Sequence, residues 1–135
     1  MEIIEKLDES QLKDLHALYQ NEWWTKGRTL IETKSCVKGS QICIGLIDGR
    51  GALQAFARVL TDYTFKALIF DLIVSNKQRR KGLGKKIMLK IINHPKLQSV
   101  KHFELYCLPE MFNFYEEYGF SADVGKIKLM RLVNT

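Results

Sequence analysis

Between Phe65 and Cys107 the chain reads as a strand, a basic turn containing glycine, an amphipathic helix and a second strand, and this succession constrains the fold most. Phe65 to Ser75 is a nearly continuous apolar stretch, the pattern of a strand buried on both faces. Gly82 to Ile92 follows, with Leu83, Ile87, Met88 and Ile91 spaced to make one apolar stripe on a helix. His102 to Cys107 then returns as a strand. Two strands joined through a helix form a right-handed parallel crossover.

The flanking segments complete a sheet around that crossover. Met1 to Leu7 reads as a short strand. Asp8 and Gln11 have capping-box spacing, which predicts a helix carrying Leu12, Leu15, Leu18 and Tyr19 on one face; Thr29 and Glu32 repeat the arrangement for a second helix. Gln41 to Ile47 and Ala52 to Leu60 read as strands joined at Asp48-Gly49, a turn signal because glycine accepts positive φ. With Phe65 to Ser75 they predict an antiparallel meander. Glu110 to Tyr118 reads as a short helix closed by Gly119, and Lys126 to Val133 as a last strand. The expected class is α/β: a mixed, mostly antiparallel sheet with one parallel β-α-β crossover and helices on both faces. With 135 residues and no repeat or linker-like stretch, a single domain over 1–135 is expected.

Several function classes fall away. No apolar run reaches the ~18 residues that span a bilayer, and Met1-Glu2-Ile3-Ile4-Glu5 lacks the basic start of a secretory leader, so a soluble cytoplasmic protein without membrane partners is expected. Cys36, Cys43 and Cys107 form no C-x-x-C pair, and His16, His94 and His102 lie without ligand spacing to them. Reduced thiols and no metal site are therefore expected.

Charge is distributed unevenly. Residues 1 to 66 hold equal numbers of acids and bases, so the net +6 lies in the second half. From Leu72 to Phe103 there is no acid, while Lys77, Arg79, Arg80, Lys81, Lys85, Lys86, Lys90, Lys96 and Lys101 are all basic. Such a field attracts a polyanion or a phosphorylated ligand, although a solvated helix face gives the same composition. Within it, Gly82 and Gly84 permit a tight turn into a helix whose first N–H groups form an anion site. Neither the P-loop pattern nor G-x-G-x-x-G is present.

A second motif gives this loop its meaning. Arg79-x-x-Gly82-x-Gly84 is followed by Phe114-Tyr115-Glu116-Glu117-Tyr118-Gly119-Phe120. The pair, in this order after such a strand, resembles the GNAT superfamily of N-acetyltransferases, and so does the order of elements across nearly the whole chain. The resemblance implies the acyl-CoA N-acyltransferase fold and acetyl-CoA as co-substrate. It places the coenzyme pyrophosphate on backbone N–H groups of Arg79, Arg80, Lys81, Gly82, Leu83, Gly84 and Lys85, and the pantetheine arm against Leu72, Ile73 and Val74. The Leu72 N–H would polarise the acetyl carbonyl. Tyr115 falls where many members keep a tyrosine that protonates the leaving thiolate; the competing reading is a core aromatic beside Phe112, Phe114 and Tyr118. Leu108 stands where an asparagine is common and Met111 where a small residue is common, so one pantetheine contact is in doubt.

The proton acceptor is less defined. Leu68 occupies a position where some members carry glutamate. Asp71, the only carboxylate in its strand, would serve as base if burial raised its pKa, or would be a hydrogen-bonded sheet residue; Glu104 is a further candidate. Trp23, Trp24 and Arg28, in the connector between the first two helices, could shape an acceptor pocket, with Arg28 pairing to a carboxylate or phosphate. Tryptophans at such a corner more often simply plug the core. The leading expectation is direct acetyl transfer to a small-molecule or peptide amine. A catalytically silent acyl-CoA-binding module is one alternative; a nucleic-acid-binding domain is another, opposed by the lack of interleaved aromatics in the basic run. Association of two copies stays open.

Overall fold

The computed structural model describes all residues, 1–135. They group into two compact units, Met1–Leu105 and Tyr106–Thr135, a finer division than the single domain expected.

The first unit is built on five strands in the order β1 (Glu2–Ile4), β2 (Ile42–Ile47), β3 (Leu53–Thr61), β4 (Lys66–Val74) and β5 (His102–Leu105). The first three pairings are antiparallel and β4–β5 is parallel, as the crossover requires. Both predicted capping boxes form. Asp8 opens α1 (Glu9–Gln20) and Thr29 opens α2 (Leu30–Lys38), each cap side chain accepting from the N3 backbone N–H while the N3 side chain accepts from the cap N–H. The hairpin turn is tied by Asp48, which accepts from the N–H groups of Arg50 and Ala52.

Alternation along β2 sends side chains to opposite faces, yet every residue from Ile42 to Leu46 is buried, so both faces are covered. On one, Cys43, Leu53, Phe56 and Ile73 form a core with Leu15, Leu18 and Tyr19 of α1. The other face carries Ile44, Leu46, Ala55, Ala57 and Val59, all fully buried. It packs beneath α3 (Leu83–Ile92), whose predicted stripe of Leu83, Ile87, Met88 and Ile91 is buried.

The strand β4 departs from expectation. Ala67, Ile69, Asp71 and Ile73 are buried, whereas Leu68, Phe70, Leu72 and Val74 are only half-buried. Its register explains part of this. Phe56 of β3 lies opposite Ile73 but Arg58 opposite Phe70, so β4 spends one more residue than β3 over this span. The extra residue marks a β-bulge, and Asp71 within it has φ of 59°.

In the second unit a single 3₁₀ turn, Pro109–Met111, leads into α4 (Phe112–Glu116), shorter than the predicted helix. Gly119 follows at φ 95°, the left-handed conformation expected of it. Lys126 to Val133, predicted as a strand, joins no ladder; its alternation has no partner to pair with, and Ile127, Met130 and Leu132 are exposed.

Gly45 lies opposite Phe56, on the face that meets α1, and leaves no room for a side chain. A Cβ there would lie 2.8 Å from Leu53 Cδ1 and 3.1 Å from Ile4 Cγ1. Gly45→Ala should cost about 1–3 kcal/mol through overpacking, read as a lower urea midpoint with an unchanged m-value.

Candidate active site

The bulge in β4 organises one half of the site. Asp71 Oδ2 accepts from Tyr19 Oη at 2.9 Å, Arg28 Nη1 at 2.7 Å and Arg58 Nε at 2.7 Å, while Oδ1 accepts from Arg28 Nη2 at 3.2 Å. Four donors from α1, the α1–α2 connector and β3 thus saturate a carboxylate that is 5% exposed. The guanidinium of Arg28 stacks on the Tyr19 ring and that of Arg58 on the Phe70 ring, at 4.6 and 5.1 Å from the ring centroids.

This arrangement reverses the pKa expected for Asp71. Burial raises it, but the hydrogen bonds and charges of Arg28 and Arg58 outweigh burial and hold the carboxyl below its ordinary value. A carboxylate so engaged is a poor proton acceptor. Glu104 is also committed, accepting from Lys66 Nζ at 2.9 Å. Neither Arg58 nor Tyr19 has a local sequence signal for this role: the register of β3 against β4 brings Arg58 to Asp71, and the packing of α1 on the sheet brings Tyr19.

Past the bulge, β4 has an open edge. Its parallel ladder with β5 runs from Lys66↔His102 to Ile69↔Leu105 only, whereas β3 stays paired to β4 as far as Val74. Asp71 to Val74 therefore have no β5 residue opposite them, leaving an edge that an extended chain can join. This is where Leu72, Ile73 and Val74 stand.

The same strand runs into the basic loop. A 3₁₀ turn at Asn76–Gln78 precedes Arg79, Arg80 has φ of 65°, and Gly82 caps α3 in the left-handed conformation at φ 77°. No side chain caps this helix, and its first N–H to reach a backbone oxygen is that of Lys86, bonded to Gly82 O. From Arg79 to Lys85 no backbone N–H donates to a protein oxygen. A Cβ added at Gly82 would meet nothing within 4 Å, so the cradle is open. Uncommitted N–H groups at a helix start, surrounded by Lys81, Lys85 and Arg80, fit a pyrophosphate. Arg79 is held to one side by an ion pair with Glu22 of the connector.

Trp23 and Trp24 do not plug the core; they are 74% and 40% exposed. Arg28, half-buried, is engaged with Asp71. In the second unit Tyr115 packs edge-to-face with Phe114 and Phe120, at 5.0 and 6.1 Å between ring centroids. Burial pushes its hydroxyl up to about 12, so it keeps its proton across the neutral range. That hydroxyl makes no hydrogen bond within the protein and is not a buried orphan, unlike that of Tyr118. It is free to donate.

The sheet is thus mixed, its parallel ladder stops short of the β4 bulge, and an uncapped basic helix start follows the strand. The model of the acetyltransferase (GNAT) family matches residues 4–120, and the chain belongs to that family. It is 31% identical over 122 residues to the uncharacterized N-acetyltransferase ycf52 of Pyropia yezoensis, covering 88% of this chain and 70% of that protein. The Porphyra purpurea counterpart is 32% identical over the same length and the same shares. Among solved structures, a protein assigned to the GNAT family from Xanthomonas campestris pv. campestris superposes with a TM-score of 0.81 at 28% identity, covering 99% of this chain and 94% of that one. The protein is an acetyltransferase.

Linkage fixes the sign of a test for the buried cluster. A depressed carboxyl pKa contributes stability that is complete above the unfolded value of ~3.9 and disappears as pH falls through the lower folded value. Asp71→Asn should lose about 3–5 kcal/mol at neutral pH, because two partly buried guanidinium groups lose their counterion. Urea unfolding from pH 6 down to 2 should also show a shallower acid decline in the variant than in the parent.

Proposed function

We propose that the protein transfers acetyl from acetyl-CoA to the nitrogen of an amine by direct attack. The observation that carries this is the continuity of the open β4 edge at Leu72–Val74 with the uncommitted N–H groups from Arg79 to Lys85. An extended pantetheine arm suits the first and a pyrophosphate the second. The charge around the loop, with no acid from Leu72 to Phe103, favours the same polyanion.

In the reaction the neutral amine nitrogen bonds to the acetyl carbon, the carbon–sulfur bond breaks, and the amine gives up one proton while the thiolate gains one. The N–H of Leu72, on the unpaired edge, is the donor assigned to the developing oxyanion. Tyr115, which keeps its proton across the neutral range, stands at the sequence position where the family resemblance puts the acid for the thiolate, and that resemblance carries its assignment. Both carboxylates considered as bases are held by cations, so the amine proton is assigned to water. No metal is invoked.

Binding and chemistry can be tested separately. Acetyl-CoA should raise the melting temperature, since a ligand that binds only the folded chain stabilises it. Gly82→Val should remove that shift, because valine disfavours φ 77° and projects into the cradle; an unchanged shift in the folded variant would place the phosphates elsewhere.

Tyr115→Phe should keep acetyl-CoA affinity while turnover falls ~10²-fold, the usual range for losing a positioned acid. A packing role for Tyr115 instead gives near-normal kcat in the Phe variant, with only Tyr115→Ala losing about 3–5 kcal/mol of stability.

A further inference from the structure

The charges at the β4 bulge do not balance. Arg28 and Arg58 each form their only ion pair with Asp71, so two guanidinium groups share one carboxylate and one positive charge is left over. The carboxylate has no capacity to spare, since Tyr19 also donates to it. The guanidinium groups do: Arg28 Nε and Arg58 Nη2 have no partner in the protein, and Arg58 Nη1 reaches only Ser40 Oγ at 3.4 Å. The unpartnered Arg28 Nε and Arg58 Nη2 are not sealed from solvent. Yet the two side chains are only 30% and 14% exposed, so a surplus cation here is costly unless an anion meets it.

Position adds to charge. The carboxylate on which the guanidinium groups converge belongs to Asp71, the residue directly before the Leu72 N–H assigned to the acetyl oxygen. We propose that Arg28 and Arg58 form an anion subsite for the acceptor, and that the acceptor is a small amine bearing a single carboxylate, such as an amino acid. The proposal rests on acetyl transfer at Leu72 as described above. A carboxylate carries the one negative charge that neutralises the cluster and matches the guanidinium fork. A phosphate monoester, with about −1.5 to −2 at neutral pH, would leave net negative charge beside Asp71.

Two measurements test it. In the first, initial rates of coenzyme A release with saturating acetyl-CoA are compared for amino acids, their C-terminal amides, the corresponding decarboxylated amines and O-phosphoethanolamine. The free amino acids should exceed their amides in kcat/KM by ~10–100-fold, the scale of a charge-assisted hydrogen bond. Arg58→Lys, which keeps the charge but not the fork, should raise KM for the amino acid at least ~10-fold and leave acetyl-CoA affinity unchanged. The second measurement needs no turnover: sodium acetate and N-acetylglycine are titrated into the coenzyme A complex while the arginine side-chain ¹⁵N signals are followed. Saturable shifts of the Arg28 and Arg58 signals are expected, with the Arg28 shift weakened in Arg58→Lys. Amides or decarboxylated amines used as well as the free acids would overturn the subsite while leaving acetyl transfer intact, as would O-phosphoethanolamine as the preferred acceptor. Absence of carboxylate-induced shifts would overturn it regardless of activity. Failure of the general reading shows differently, as no thermal shift with acetyl-CoA.

Discussion

The saturated carboxylate of Asp71 is the constraint on which the first unit depends. Holding a non-glycine residue at φ 59° costs about 1–2 kcal/mol, and it persists because the bulge lets Phe70 and Asp71 both meet Arg58 while Asp71 also receives Tyr19 and Arg28. One side chain thereby joins α1, the α1–α2 connector, β3 and β4. The bulge also falls where β5 stops pairing with β4. Since β5 ends at Leu105, Leu72 to Val74 have no β5 residue on their outer edge. The buried ion cluster and the open edge therefore adjoin on one strand.

What could be read from the chain follows from how local each signal is. Asp8 with Gln11 and Thr29 with Glu32 announce helices through bonds spanning three residues, and both boxes form. Leu83, Ile87, Met88 and Ile91 need only helical periodicity to declare a buried stripe. Asp71 was visible as an isolated acid in an apolar strand, but its partners lie 13, 43 and 52 residues away, and no periodicity specifies them. The direction of its pKa depended on those partners, because burial alone would have raised it. Arg58 carries no such local signal, since a strand arginine normally faces solvent. Lys126 to Val133 failed in the opposite way: alternation is a local property, whereas a ladder needs a second strand.

The site residues divide similarly. The basic loop was legible because its glycines act through their own backbone, and Gly82 adopts the left-handed cap that the motif needs. The tryptophans were ambiguous between pocket and core; exposure removes the core reading for both without supplying a ligand.

Lysine and arginine are used in different ways within this first unit, and the difference follows from their surroundings. The exposed loop and α3 carry mainly lysines, whose strongly hydrated ammonium groups act as point charges screened by salt. At the bulge, where water is scarce, arginine forks meet a carboxylate in fixed geometry and lie over aromatic rings. The α1–α2 connector touches both regions: Glu22 is ion-paired with Arg79 of the loop, and Arg28 with Asp71. On the proposed reading its two ends serve different substrates. A phosphate drawn to the loop competes with Glu22 for Arg79 in an exposed, easily exchanged pair, whereas the buried Arg28–Asp71 pair keeps its geometry. The donor side can therefore adjust to its ligand while the acceptor side remains preorganised, which is the division of labour that repeated binding of one co-substrate beside a selective second site requires.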